Sequence, residues 1–296
     1  MKVLVLGSDG QLGQALMERS EKTEAYRFFG FDLPDFDITD KDQVYSVIHR
    51  EKPDWVVNAS AYTLVDQAES DRDTAYKVNR DGPAFLAKAC SELEIPLIHL
   101  STDYVFDGTK GAPYRETDPI APLGVYGTSK AEGETEVRKN CRQHVIVRTS
   151  WLYGVHGRNF VKTMAGLAAE RDTIRVVHDQ FGCPTFAGDL ADALIKVIEG
   201  FRAGRGDVWG TYHYCGKGVT TWYGFACEII ERLRDIRPLA VKEILPIPGS
   251  DYPTPAKRPS YSALDGSLME ETFDITRRDW KESLGVMLGE WALRLR

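Results

Sequence analysis

Tyr126 and Lys130 stand four residues apart in the run Val125-Tyr-Gly-Thr-Ser-Lys-Ala131. On a helix that spacing sets a phenol and an ammonium on one face. Free tyrosine titrates near pH ~10 and free lysine near ~10.4. A cation beside a phenol favours the phenolate and lowers its pKa. The result is a proton donor or acceptor usable near neutral pH. The spacing alone is common by chance, so the pair gains weight only from its surroundings. A hydroxyl is a second candidate. Thr102 lies in Leu100-Ser-Thr-Asp-Tyr-Val-Phe-Asp-Gly108, after the apolar run Ile95–Leu100. A residue at a strand's C-terminal end sits where open parallel sheets bind ligands. Thr102 could donate a hydrogen bond to a carbonyl oxygen there; threonine also suits a turn or an N-cap.

The amino terminus supplies a phosphate-binding pattern. Lys2–Leu6 is a short β-branched and apolar run that reads as a buried strand. It leads into Gly7-Ser-Asp-Gly10-Gln-Leu-Gly13, and a helical pattern starts at Ala15. In a strand–glycine turn–helix unit the backbone can approach a pyrophosphate, and the helix N-terminus offers it unpaired N–H groups. The spacing is Gly-x-x-Gly-x-x-Gly rather than Gly-x-Gly-x-x-Gly. A second strand pattern, Tyr26–Phe31, ends in Asp32, 19 residues past Gly13. A carboxylate about there accepts a bond from a ribose 2′-hydroxyl.

These groups need a scaffold, and the first half of the chain predicts one. Strand patterns fall at Val3–Leu6, Arg27–Phe31, Trp55–Asn58, Leu97–Ser101 and His144–Arg148, with helical patterns between them at Lys41–Glu51 and Asp81–Leu93. Such alternation implies an α/β protein with a Rossmann-type doubly wound parallel sheet. The Tyr126–Lys130 helix should begin near Gly124. The expected division is a dinucleotide-binding domain over residues 1–150 and a smaller α/β substrate domain mainly over 151–296. A strand at Ile174–His178 and a helix at Asp189–Phe201 are assigned to the first. Residues 204–210 read as a loop. Trp280, Leu284, Met287, Leu288, Trp291 and Leu295 recur at helical spacing, which points to core packing.

Composition narrows the class. At 43% hydrophobic over 296 residues the chain can bury a substantial core. A formal charge of -7 argues against nucleic acid as a partner, and any anionic substrate must meet local cations. Five scattered cysteines without a Cys-x-x-Cys read as reduced, mostly buried thiols of a cytoplasmic protein. The six histidines show no metal-ligand spacing. Met1-Lys2 runs straight into a strand, so no signal peptide is expected. No apolar run approaches the ~18 residues of a membrane span.

Together the motifs resemble the short-chain dehydrogenase/reductase superfamily, in its extended branch. Five runs sharpen this to a resemblance to the dTDP-4-dehydrorhamnose reductase family: Asn58–Asp66, Ser101–Phe106, Arg148–Tyr153, Asp179–Thr185 and Tyr252–Pro259. The resemblance implies reduction of the 4-keto group of a dTDP-6-deoxyhexulose, with NADH or NADPH as cofactor. It casts Tyr126 as the proton donor to the carbonyl oxygen. Lys130 would bond the nicotinamide ribose and lower the Tyr126 pKa, and Thr102 would bond the reacting oxygen. The cofactor would lie across Gly7, Gly10, Gln11, Leu12 and Gly13, flanked by Asp32, Asp37 and Ile38, with Ser60, Ala61 and Tyr62 at the next strand's end. Val65, Asp103, Tyr104, Trp151 and Asn159 would line the sugar pocket, and Arg258 would take the pyrophosphate.

Asp32 would repel a 2′-phosphate, which points to NADH over NADPH. Some family members dimerise around a magnesium ion held partly by a glutamate of the first helix. Here that position is Ala15, and a second acidic position falls on Gly188, beside Asp189. No metal dependence is therefore expected, and EDTA should leave activity intact. A monomer and a homodimer both remain open. So do an epimerase or dehydratase on this fold, and a non-catalytic role like that of methionine adenosyltransferase regulatory subunits. The intact Thr102, Tyr126 and Lys130 argue for catalysis.

Overall fold

The computed structural model describes residues 1–20 and 25–294. The first half alternates strictly. Strand β1 (Lys2–Leu6) is followed by α1 (Gln11–Ser20), β2 (Arg27–Phe31), α2 (Lys41–Glu51) and β3 (Trp55–Asn58). Short helices α3 (Val65–Ala68) and α4 (Arg72–Tyr76) run through a π-turn at Lys77–Asp81 into α5 (Gly82–Glu92). Then come β4 (Leu97–Thr102), α6 (Val125–Asn140) and β5 (His144–Thr149). The second half holds β6 (Leu152–Tyr153), α7 (Phe160–Glu170), β7 (Thr173–Val177), β8 (Phe181–Gly182), β9 (Thr185–Phe186) and α8 (Ala187–Arg202). It continues with β10 (Gly210–His213), β11 (Thr220–Thr221), α9 (Trp222–Arg234), β12 (Glu243–Ile247), α10 (Ser267–Phe273) and α11 (Trp280–Arg294).

Six strands form one parallel sheet in the order β10-β5-β4-β3-β1-β2. The chain leaves β1 in opposite directions toward β2 and β3, so the switch point of a doubly wound sheet lies between β1 and β3. Side chains alternate across it with period two. Val3 and Val5 of β1 face one core with Leu12 and Leu16 of α1 and Leu190 and Leu194 of α8. Leu4 and Leu6 face the other, with Val44 and Ile48 of α2 and Leu86 of α5. Both faces are covered, which is why these strands read as continuous apolar runs.

Two expectations are corrected here. The 174–178 run does form a strand, β7, but β7 pairs in parallel with β12 in a separate two-stranded sheet. The sixth strand of the main sheet is β10, which pairs with β5 and was missed beside the loop signal at 204–210. Its four residues begin with Gly210 at φ 154, and only Tyr212 and His213 are buried. Helix α8 does pack on the main sheet. A second core gathers α7, α9 and α11 over β7. Trp280, Leu284, Met287 and Leu288 are buried in it and Trp291 packs at its rim, while Leu295 lies outside the described residues.

Candidate functional site

The glycine turn is shaped by close approach. Gly7 has φ 79, and a Cβ there would meet the Ser60 amide nitrogen at 2.7 Å. A Cβ on Gly13 would meet the Gly7 carbonyl oxygen at 2.2 Å. No side chain fits either place, so β1 and α1 come together only over glycine. Helix α1 starts at Gln11, and its first N–H groups have no partner within the helix. Gly7, Gly10, Gln11, Leu12 and Gly13 form one end of a cleft of about 470 Å³, with Ala59 and Ala61 from the end of β3. A backbone floor with free helix amides fits the pyrophosphate of a dinucleotide.

Several expected cofactor neighbours lie off that cleft. The Asp32 carboxylate accepts from the Asp9 amide at 2.9 Å and the Leu33 amide at 2.8 Å, bracing the turn from behind. Asp37 closes its own turn, accepting from the Thr39 amide and hydroxyl, each at 2.8 Å. Ile38 is a core residue facing Gly82. Ser60 packs its backbone under Gly7, and the Tyr62 hydroxyl donates to Asp71 at 3.1 Å.

The other end of the cleft holds Thr102, Asp103, Tyr126 and Lys130. Thr102 ends β4, buried, and caps the following 3-10 turn by accepting from the Tyr104 amide at 3.2 Å. Its hydroxyl donates to Asp103 Oδ1 at 3.1 Å. The cap is thus observed, and the same hydroxyl borders the cleft. Helix α6 carries Tyr126 and Lys130. Its N-cap is Gly124, without a capping side chain, and Glu69, just past α3, accepts from the Val125 amide at 2.8 Å instead. The Tyr126 ring sits edge-on to Tyr104 with centroids 5.8 Å apart.

The electrostatics reverse one expectation. Burial pushes the Tyr126 phenol up to about 12; the Thr102 hydroxyl pulls it down and Asp103 pushes it further up. Lys130 does not lower it. The Lys130 ammonium is buried and donates to the Leu100 carbonyl at 2.6 Å. Its own pKa falls to about 8 through burial, against a supporting charge on Glu134. Asp103 is buried, its Oδ2 has no partner, and burial raises it to about 7 against the Ser262 and Thr102 hydroxyls. The spacing reads the helix face correctly, but desolvation outweighs the cation.

Trp151 also lines the cleft, yet one face of its ring is covered. It stacks on Trp222 with centroids 3.6 Å apart and planes 10° from parallel. Its backbone is at φ 46, a conformation costing on the order of 1–3 kcal/mol for a bulky residue. Gly182 lies so near the indole that a Cβ would come within 2.5 Å. Val65 and Tyr104 share a small pocket with Tyr126, Glu69 and Ala256. Asn159 caps α7, accepting from the Lys162 amide at 3.1 Å, and donates to Gln11 Oε1 at 3.0 Å. Arg258 grips Asp66 with both prongs, at 2.9 and 2.8 Å. It borders a separate groove of about 650 Å³ with Trp222, Phe160, Arg171, Arg175 and Tyr252. Trp222 and Glu69, which border these voids, and Asp66, which holds Arg258, were not among the expected residues. No local motif marks Trp222, whereas Asp66 ends one of the runs that carry the resemblance.

Ala15 is packed between α1 and the sheet, and a Cβ on Gly188 would meet the Phe186 ring at 2.5 Å. Asp189 binds Arg278 at 2.7 Å and the Ser283 hydroxyl. Among the described residues no group of three His, Cys, Asp or Glu could hold a metal ion. No described helix is long and apolar enough to cross a membrane.

The RmlD substrate binding domain family matches residues 1–293. A dTDP-4-dehydrorhamnose reductase of Aggregatibacter actinomycetemcomitans is 43% identical over 284 residues, covering 96% of this chain and 97% of that protein. The crystal structure of a dTDP-4-dehydrorhamnose reductase from Clostridium acetobutylicum superposes with a TM-score of 0.91 at 41% identity, covering 98% of this chain and 99% of that one. The Bacillus anthracis dTDP-4-dehydrorhamnose reductase, solved in complex with NADP, gives 0.91 at 37% identity over the same shares.

Proposed function

The chain belongs to the RmlD substrate binding domain family, and from that premise we propose that it is a dTDP-4-dehydrorhamnose reductase. It reduces the 4-keto group of dTDP-4-dehydro-L-rhamnose to give dTDP-L-rhamnose. The observation that carries this reading is the single cleft joining the glycine turn to Thr102, Tyr126 and Lys130. NADH or NADPH, when bound, supplies the hydride. The glycine turn and the α1 N-terminus hold its pyrophosphate.

The chain's own groups handle the proton. Tyr126, held up to about 12 by burial, keeps its phenol proton across the neutral range. A carbonyl oxygen taking on charge becomes a far stronger base than phenolate, so transfer from Tyr126 to that oxygen runs downhill. Thr102 turns its hydroxyl from Asp103 to the same oxygen and stabilises the growing charge. Lys130 holds a positive charge one helical turn along, anchored on Leu100.

Residues 1–150 with α8 serve the cofactor, and 151–296 mainly serve the sugar nucleotide. The groove beside Trp222 suits the nucleotide end, with Arg171, Arg175 and Arg258 as local cations in a chain of net charge -7. The test is substrate-dependent loss of reduced-nicotinamide absorbance with dTDP-4-dehydro-L-rhamnose, native protein against Tyr126→Phe. Oxidation that collapses in the variant is expected. Folded native protein that oxidises neither cofactor would overturn the assignment.

A further inference from the structure

We infer that Arg158 is the cation that meets the cofactor's pyrophosphate, brought to the glycine turn from the second half of the chain. This rests on the reading of the cleft as a dinucleotide site and assigns that site a further binding residue.

The glycine turn has no positive side chain of its own. It reads Gly7-Ser-Asp-Gly-Gln-Leu-Gly13, and Asp9 adds a carboxylate. The N-terminus of a helix carries about half an elementary charge, whereas each phosphate of a pyrophosphate bridge brings a full one. In a chain of net charge -7 the balance must come from a local cation.

Lys130 and Arg158 are the two cations among the residues that line the cleft. Lys130 belongs to the reacting end, buried and tied to the Leu100 carbonyl at 2.6 Å. Arg158 belongs to the glycine end, and its place is fixed from both sides. Before it, Gly157 turns at φ 61 so close to α1 that a Cβ would meet Gln11 Cγ at 3.2 Å. After it, Asn159 Nδ2 donates to Gln11 Oε1 at 3.0 Å. Both chain neighbours of Arg158 thus rest on the first residue of α1.

The loop is braced while the guanidinium is left unpaired. Lys162 of α7 donates to the Val155 and Gly157 carbonyls at 2.7 and 3.0 Å. Glu18 of α1 is engaged by His156 at 2.7 Å and by Arg294 at 2.5 Å. Arg158 itself is exposed and, among the described residues, makes no hydrogen bond or ion pair. No ion pair has to break when a dinucleotide enters, and the planar fork fits two phosphate oxygens at once. A cation on a fixed loop at the mouth of an anion site is preorganised for that anion.

The pyrophosphate is common to NADH and NADPH, whereas the 2′-phosphate belongs to NADPH alone. The experiment titrates native protein, Arg158→Gln and Arg158→Lys with each cofactor, following reduced-nicotinamide fluorescence at low and high salt, with thermal unfolding of every variant. Arg158→Gln should bind both cofactors about tenfold more weakly, as for loss of one hydrogen bond to a charged group. Arg158→Lys should recover part of that loss, the loss should shrink at high salt, and the unfolding midpoints should match the native one. Equal affinities in native protein and Arg158→Gln would overturn the inference. A loss confined to NADPH would do so too, by moving the contact to the 2′-phosphate. A salt-independent loss that lysine does not rescue would assign the residue to loop structure instead. Native protein that binds neither cofactor would overturn the dinucleotide reading and this inference with it, so the native titration separates the two failures.

Discussion

Glu69 accepts from the Val125 amide at 2.8 Å, so the helix that carries Tyr126 and Lys130 starts on a carboxylate from the end of α3. The natural cap position is Gly124, and a Cβ there would come within 2.6 Å of Glu69 Oε1. Loss of such a cap costs about 1 kcal/mol. Glu69→Ala should therefore lower stability by roughly that amount. It should also lower kcat about tenfold, because small displacements of a reacting group are costly. Glu69→Gln keeps an acceptor and should retain most of the rate. Denaturant unfolding and steady-state kinetics on both variants check this; equal kcat in Glu69→Ala and native protein would show that the cap does not position Tyr126.

Removing the phenol should be severe. Tyr126→Phe is expected to lose ~10²–10⁴ in kcat, the usual range for a general acid. Thr102→Val should lose ~10²–10³, as for other donors to a developing oxyanion. KM for the sugar nucleotide should change little in either. Rates at saturating substrate settle the matter, and a Thr102→Val variant with native kcat would remove that residue from the reacting oxygen.

Two buried groups set the pH profile. Asp103, raised to about 7, is neutral below that pH and becomes an anion near the growing oxyanion above it. Lys130, lowered to about 8, loses its ammonium above that pH. Activity should therefore hold on the acidic side of neutrality and fall as pH rises through 7 and 8. In Asp103→Asn the first fall should vanish and the plateau should extend to about 8. An unchanged profile for kcat in that variant would assign the lower transition elsewhere.

Asp32 ends the second strand–turn unit beside the glycine turn, its carboxylate accepting from the Asp9 and Leu33 amides. A 2′-phosphate there meets like charge. The kcat/KM for NADH should exceed that for NADPH, and Asp32→Ala should narrow the gap. A clear NADPH preference in the native protein would refute this.

Much of this was legible in the sequence. Strands β1, β3, β4 and β5 announce themselves because both faces of the sheet are buried there, so each is an apolar run between turn residues; β2, at the sheet's edge, is only partly buried. The glycine turn, Thr102 and the Tyr126–Lys130 helix face follow from short-range spacing. What escaped depends on partners distant in the chain. β7 looks like any buried strand, and nothing within it says that β12, not the main sheet, will pair with it. Arg258 meets Asp66 across 192 residues. The Tyr126 pKa is decided by how deeply the ring is buried, which no spacing reports.

The Trp151–Trp222 stack has an optical consequence. Trp151 follows the last-entered central strand and borders the cleft; Trp222 opens α9 and borders the groove. Two indoles 3.6 Å apart and nearly parallel couple their electronic transitions. The pair thus forms a built-in chromophore at the partition between the two voids. Any molecule long enough to occupy both must part the rings or skirt them, and each choice leaves a different near-ultraviolet circular dichroism signature in unlabelled protein.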